Sequence, residues 1–276
     1  MRPRMPDQTG YAINRGVRIY YEVHGRGDPT VLFVPGFAIA PGRQWKMQVP
    51  FFARETRTVT YDPRGAGRSD RPLSDYGMEA RVGDALAVVD EAGVDRFVPV
   101  AISAGARPAV ALAARHPGRV AGMVLIGGSL YPEAVGPPRR TLEESRAWAL
   151  RDYAGWARDW WAVSFPEPHS TKALDDGWEW AQATDAPTLI TSNVHGGAEM
   201  DARPEVGGVH CPVLLIHGTQ DVRVPHEFAH EMQRVFPQSV LVTIDGAGHF
   251  PHVRDSVRTN LVLREFLAHV ATRKAA

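Results

Sequence analysis

Short, wholly apolar runs alternating with amphipathic stretches of helical period constrain this chain most. Phe97–Ile102 (F-V-P-V-A-I) carries no polar side chain. A run of that length, bounded by turn signals, suits a strand buried on both faces, as in a parallel sheet. Val31–Val34, Val120–Ile126 and Pro212–Ile216 have the same character, and Val17–Val23, Arg57–Tyr61 and Val240–Ile244 read as further strands. Between them, Met78–Ala92 carries a stripe of Val82, Ala85, Leu86, Val88, Val89 and Ala92, which predicts a helix stopping at Gly93. Pro108–Arg115, Pro225–Val235 and Ser256–Val270 also read as helices. Repeated strand–helix alternation implies right-handed crossovers and an α/β fold.

The rhythm changes near Ser129. From 129 to 208 the pattern is helical only. A capping box at Thr141 and Glu144 opens a helix running to about Val163, and Ser170 opens another. Gly196-Gly197 and Gly207-Gly208 read as flexible joints. The chain therefore divides into a first core segment (1–128), a helical insertion (129–208) and a second core segment (209–276).

Charge and composition exclude several classes. The 276 residues hold 31 basic and 31 acidic side chains, so the formal net charge is zero. That balance lacks the cationic excess that nucleic acid or an anionic membrane surface requires. No apolar run reaches the length of a membrane span, and the first residues do not form a secretory signal; a cytoplasmic protein is expected. The lone Cys211 excludes an internal disulfide and a thiolate metal cluster. No phosphate loop or histidine–carboxylate metal spacing is present, so neither metal nor cofactor is expected.

In an open parallel sheet, ligands bind beyond the carboxyl ends of the strands. Four such points carry suitable chemistry. Ser103, in Ala101-Ile-Ser103-Ala-Gly105, sits where a buried strand meets a helix, with small residues two positions to either side. His249, in Gly-Ala-Gly248-His249-Phe, lies in a glycine-flanked loop after the last strand and can move protons near neutral pH. Asp221, just past Pro212–Ile216, can fix an imidazole tautomer. Pro35-Gly36-Phe37 follows the strand at Val31. There Gly36 would permit an unusual backbone angle, so that the Phe37 amide joins that of Ala104 as an oxyanion-binding pair. Taken singly, each has a plainer reading: a serine helix cap, a structural histidine, a loop aspartate and a turn. His217 reads as a satisfied histidine at a strand end, and Asp62, Arg64 and Asp70 as loop anchors.

The order Ser103, Asp221, His249, each on the loop after a different strand, resembles the α/β-hydrolase superfamily. The stretches Tyr61-Asp-Pro-Arg-Gly65-Ala-Gly67-Arg-Ser69-Asp and Pro212-Val-Leu-Leu-Ile-His-Gly218 add to the likeness, which covers about 10–128 and 209–270. More narrowly the chain looks like the capped, serine-nucleophile branch of haloperoxidase-like esterases and meta-cleavage-product hydrolases. The resemblance implies a mostly parallel, eight-stranded sheet flanked by helices, with a helical cap after the sixth strand. It also implies a Ser103–His249–Asp221 triad, with the Phe37 and Ala104 amides as oxyanion hole. Two departures stand out: Ala101 replaces the usual first glycine of the nucleophile motif, and Pro108 follows closely enough to predict a tight or bent first helical turn.

Six of the seven tryptophans fall within 129–208. Trp156, Trp160, Trp161 and Trp178, with Gly36, are the candidate substrate-binding residues, and they point to a bulky hydrophobic or aromatic ester or lactone. A serine nucleophile favours acyl chemistry. Carbon–carbon bond hydrolysis or perhydrolysis on the same triad, and a non-catalytic ligand receptor on the same scaffold, are the competing readings. A homodimer through the insertion or the last helix is compatible with the sequence.

Overall fold

The computed structural model describes residues 4–132, 140–194 and 200–274. Eight strands form one sheet: β1 (Gln8–Asn14), β2 (Val17–His24), β3 (Thr30–Val34), β4 (Thr58–Tyr61), β5 (Phe97–Ile102), β6 (Met123–Ile126), β7 (Val213–Gly218) and β8 (Ser239–Ile244). Their order is β1-β2-β4-β3-β5-β6-β7-β8. β2 runs antiparallel to both its neighbours, and the remaining pairs are parallel.

The apolar runs are buried as their composition demands: every residue of β3, β5, β6 and β7 is buried. Alternation along β5 divides its side chains between two layers. Phe97 and Ala101 enter one core with Val82, Ala85 and Val88 of α2 (Met78–Glu91) and Ala109, Val110 and Leu112 of α3 (Ala106–Arg115). Val98, Val100 and Ile102 enter the other, with Trp45 and with Leu263 and Leu267 of α10 (Ser256–Lys274).

Several local expectations are corrected. β1 has no counterpart in the strands read from the sequence. It is an edge strand joined to β2 through Arg15 and Gly16, both at positive φ, and it leaves Tyr11 and Ile13 exposed. The strand expected over 120–126 begins only at Met123, although Val120 forms an isolated bridge with Phe97. Between β6 and β7 the described residues form helices α4 (Leu142–Arg151), α5 (Tyr153–Ser164), α6 (Thr171–Ala181) and α7 (Ala186–Val194), then a 3-10 segment at Arg203–Gly208; α1 (Val49–Phe52), α8 (Glu227–Val235) and α9 (Pro251–Arg254) lie in the core segments. The single helix expected from Thr141 is two. Asp152 leaves helical geometry at φ −148° and ψ 79°, and its carboxylate caps α5 through the Gly155 N–H. The Thr141–Glu144 capping box is present. Gly207-Gly208 is no joint: it lies in the 3-10 segment, and a Cβ on Gly208 would stand 2.9 Å from that of Ala114. Gly196-Gly197 lies outside the described residues.

Candidate active site

The site assembles at the carboxyl ends of β3, β5, β7 and β8. Ser103 directly follows β5 and holds φ +54°, a left-handed conformation uncommon for a residue with a side chain. A 3-10 turn at Ser103–Gly105 then leads into α3. That tight start accommodates Pro108, which falls in the first turn of α3 where an amide would have no intrahelical partner.

The elbow presses on the loop after β3. A Cβ at Gly105 would lie 2.6 Å from the Pro35 carbonyl oxygen, and one at Gly36 would lie 2.6 Å from the Ile102 carbonyl oxygen and 3.2 Å from Ser103 Cβ. Gly36 does not adopt positive φ, so the expected reason for glycine there is corrected: clearance is what excludes a side chain, not backbone angle. Close approach brings Phe37 and Ala104 to the same cavity as Ser103.

Asp221 is held rigidly on the loop after β7. One carboxylate oxygen accepts the backbone N–H groups of Arg223 (2.8 Å) and Val224 (2.9 Å). The other lies 2.8 Å from His249 Nδ1 and 3.3 Å from His217 Nε2. Burial alone would raise its pKa, but the charge and hydrogen bond of His249 and the hydrogen bond from His217 outweigh burial and hold it well below the ordinary carboxylate range. Asp221 is therefore ionised throughout neutral pH. His217 was legible only as a strand-end histidine; its Nε2 does meet the Val224 carbonyl at 2.8 Å, but it also faces Asp221. Gly127, at φ +50°, leaves the room under this pair: a Cβ there would stand 3.2 Å from the Asp221 carboxylate and 3.3 Å from His249 Nδ1.

The loops bearing Asp221 and His249 are both tied to the end of α5. The His249 N–H donates to the Ser164 carbonyl at 3.2 Å, and the Gly248 N–H donates to the Glu167 carboxylate at 2.8 Å. Arg223 donates to Ser164 Oγ (3.1 Å) and to the Trp160 carbonyl (2.6 Å).

Ser103 and His249 open onto a cavity of about 410 Å³. Phe37, Ile102, Leu142, Trp156, Trp160 and Phe250 supply its apolar walls, and Arg107, Arg140, Arg223 and Ser145 its polar edge. Trp156 is fixed by its indole N–H, which donates to Ser145 Oγ at 2.9 Å. Trp160 faces Phe37 at a tilt, ring centroids 6.5 Å apart, and carries the Arg223 guanidinium over its ring. Gly36, Trp156 and Trp160 thus line the cavity, whereas Trp161 and Trp178 do not, which corrects their place among the candidate contacts. Trp161 is 1% exposed and packs on Phe165, Trp180 and Phe250, inside the core. Trp178 sits under the Arg158 guanidinium.

The residues read as anchors are structural. Asp62 accepts the Gly42 and Arg68 N–H groups, Asp70 pairs with Arg18, and buried Arg64 pairs with Asp84 through two 2.7 Å bonds. Among the described residues no cluster of three or more His, Cys, Asp or Glu is arranged to hold a metal ion, and no helix is long and apolar enough to cross a membrane.

Sheet order, elbow and strand-end loops define a class, and comparison with known proteins names it. The family model for the alpha/beta hydrolase fold matches residues 29–255, and the chain belongs to that family. It is a hydrolase. The "Putative carbamate hydrolase RutD" of Caulobacter sp. (strain K31) is 26% identical over 269 residues, covering 91% of this chain and 96% of that protein. The 2-hydroxymuconate semialdehyde hydrolase of Pseudomonas sp. (strain CF600) is 25% identical over 265 residues, covering 93% and 92%. Among solved structures, Est816, described as an N-acyl homoserine lactone degrading enzyme, superposes with a TM-score of 0.79 at 25% identity, covering 93% of this chain and all of its own.

Proposed function

We propose that the chain is a serine hydrolase that cleaves a carboxylic ester or lactone of a bulky, hydrophobic or aromatic substrate. Ser103 Oγ attacks the carbonyl carbon while His249 takes its proton, and Asp221 stays ionised to orient His249 and stabilise its charged form. The Phe37 and Ala104 N–H groups receive the oxyanion, a contribution of about 3–4 kcal/mol per donor in such sites. His249 then returns the proton to the leaving oxygen. Water, activated the same way, releases the acid from the acyl-serine. Trp156 and Trp160 pack against the apolar part of the substrate.

The observation that carries this reading is the strained serine at the strand–helix junction, sharing one cavity with a histidine whose far nitrogen is bonded to a buried carboxylate that also accepts two backbone N–H groups. The size of the cavity and its aromatic walls support a bulky substrate, and the lactone named for Est816 supports including lactones.

Aryl-ester hydrolysis tests it. Ser103→Ala and His249→Ala should each lower kcat by several orders of magnitude, and the double variant should lose little more, because the groups act as a unit. A fluorophosphonate should label Ser103. Label on another residue, or full turnover by Ser103→Ala, would refute the assignment. Faster turnover of a vinylogous β-diketone than of any ester would move the chemistry to carbon–carbon cleavage on the same residues.

A further inference from the structure

The peptide joining Gly36 to Phe37 has two ends that matter. Its N–H is the Phe37 donor of the oxyanion hole proposed above, on which this inference rests. Its carbonyl oxygen, that of Gly36, accepts a hydrogen bond from Arg81 Nη1 at 3.2 Å. Arg81 stands in the first turns of α2, and its Nε–H is fixed in turn on the Tyr76 carbonyl at 3.0 Å. The mechanism so far gives this arginine no part.

A trans peptide is planar, and its C=O and N–H point in opposite directions. Among the described residues the only cis bond is Asp28–Pro29. A guanidinium that holds the Gly36 oxygen on the α2 side therefore turns the Phe37 N–H the other way, toward the cavity that Ser103 lines. The loop needs such a hold. Its glycine lets it lie against the elbow, and it carries no side chain of its own that fixes the rotation of this peptide. A cation on the carbonyl also polarises the amide, which makes its N–H a stronger donor.

We propose that Arg81 is a positioning residue for the oxyanion hole, aiming and strengthening the Phe37 N–H through the Gly36 carbonyl without touching substrate. The consequence is specific. Loss of Arg81 should weaken what the site does for a tetrahedral oxyanion and leave ground-state binding nearly alone.

The test uses Arg81→Met, with Arg81→Lys as the conservative rescue, in the full chain. Active sites are counted with a fluorophosphonate so that only competent enzyme is compared. Three quantities are read: kcat, KM for an aryl ester, and affinity for an aryl trifluoromethyl ketone. That ketone adds a serine to give a tetrahedral oxyanion. Removing an oxyanion donor outright costs about 100- to 1,000-fold in kcat, so a misaimed one should cost about 10- to 100-fold. The expected result is a kcat reduced by that factor, a KM within about twofold of the parent, ketone affinity reduced in parallel with kcat, and partial recovery of both in Arg81→Lys. The proposal is overturned if kcat per labelled site stays within threefold, or if kcat falls while ketone affinity holds. Should Arg81→Met not fold, Arg81→Gln, too short to reach Gly36, carries the same readout. Absence of label on Ser103 in the parent enzyme is a different failure: it removes the catalytic reading itself, and this inference with it.

Discussion

Ser103 stores backbone strain, and replacing it two ways measures how much. At φ +54° a residue with a Cβ pays roughly 1–2 kcal/mol that glycine does not. Against this, glycine in place of alanine gives the unfolded chain extra freedom worth about 0.4–1 kcal/mol. The difference should leave Ser103→Gly more stable than Ser103→Ala by about 0.5–1 kcal/mol. Both variants lack the hydroxyl, so the lost chemistry cancels between them. At an ordinary helical or strand position the sign is opposite, with alanine ahead by about 0.5–1 kcal/mol. An unfolding entropy of about 2.1 cal/mol/K per residue over 276 residues converts the gap to a Tm higher by about 1–2 °C for the glycine variant. Differential scanning calorimetry on the two purified proteins resolves that interval. An alanine variant melting 1 °C or more above the glycine variant would show that the elbow is unstrained and that the argument from φ is mistaken.

Two further outcomes follow from side chains near the site. His252 is fully buried against Trp45, ring centroids 4.5 Å apart, and burial, aided by the nearby His249, pushes its imidazole down to about 3 from 6.5. Because the folded pKa lies below the unfolded one, acidification below about 6.5 protonates the unfolded chain first and drains stability; at pH 5 the loss is roughly 2 kcal/mol. His252→Phe should escape it, so chemical denaturation should show the variant gaining about that much on the parent between pH 7.5 and pH 5, and a difference that stays flat would disprove the sign. Trp160→Ala should alter the preference between aromatic and short acyl esters, whereas Trp161→Ala should cost about 3–5 kcal/mol of stability with that preference intact. Competition assays that find the larger change in the Trp161 variant would relocate the cavity wall.

The parallel core of the sheet was legible because strands buried on both faces leave an all-apolar signature, as in Phe97–Ile102. β1 was not, because an edge strand answers to hydrogen bonding with β2 more than to burial, and Tyr11 and Ile13 stay exposed. Ser103, His249 and Asp221 could be picked out because each follows a strand, where a parallel sheet presents its ligand-facing loops. Their chain order did the rest. The tryptophans show the limit of spacing. Four residues apart places Trp156 and Trp160 on one helix face, and both line the cavity, but the cavity wall and the adjoining core are both built from aromatic side chains in this region. Pattern alone therefore could not send Trp161 to one and Trp160 to the other. Arg81 was invisible for the same kind of reason: an arginine on an amphipathic helix reads as solvent-facing until the partner of its guanidinium is known.

The ties from Ser164 and Glu167 to the loops of Asp221 and His249 make the inserted helices part of the frame that holds these two side chains in place. An engineer exchanging the insertion to change specificity would have to carry residues 160–168 across with the core. A chimera cut at the sheet boundary would keep Ser103 at its junction and lose the ties that hold His249 and Asp221, which on the proposed mechanism would disable proton transfer.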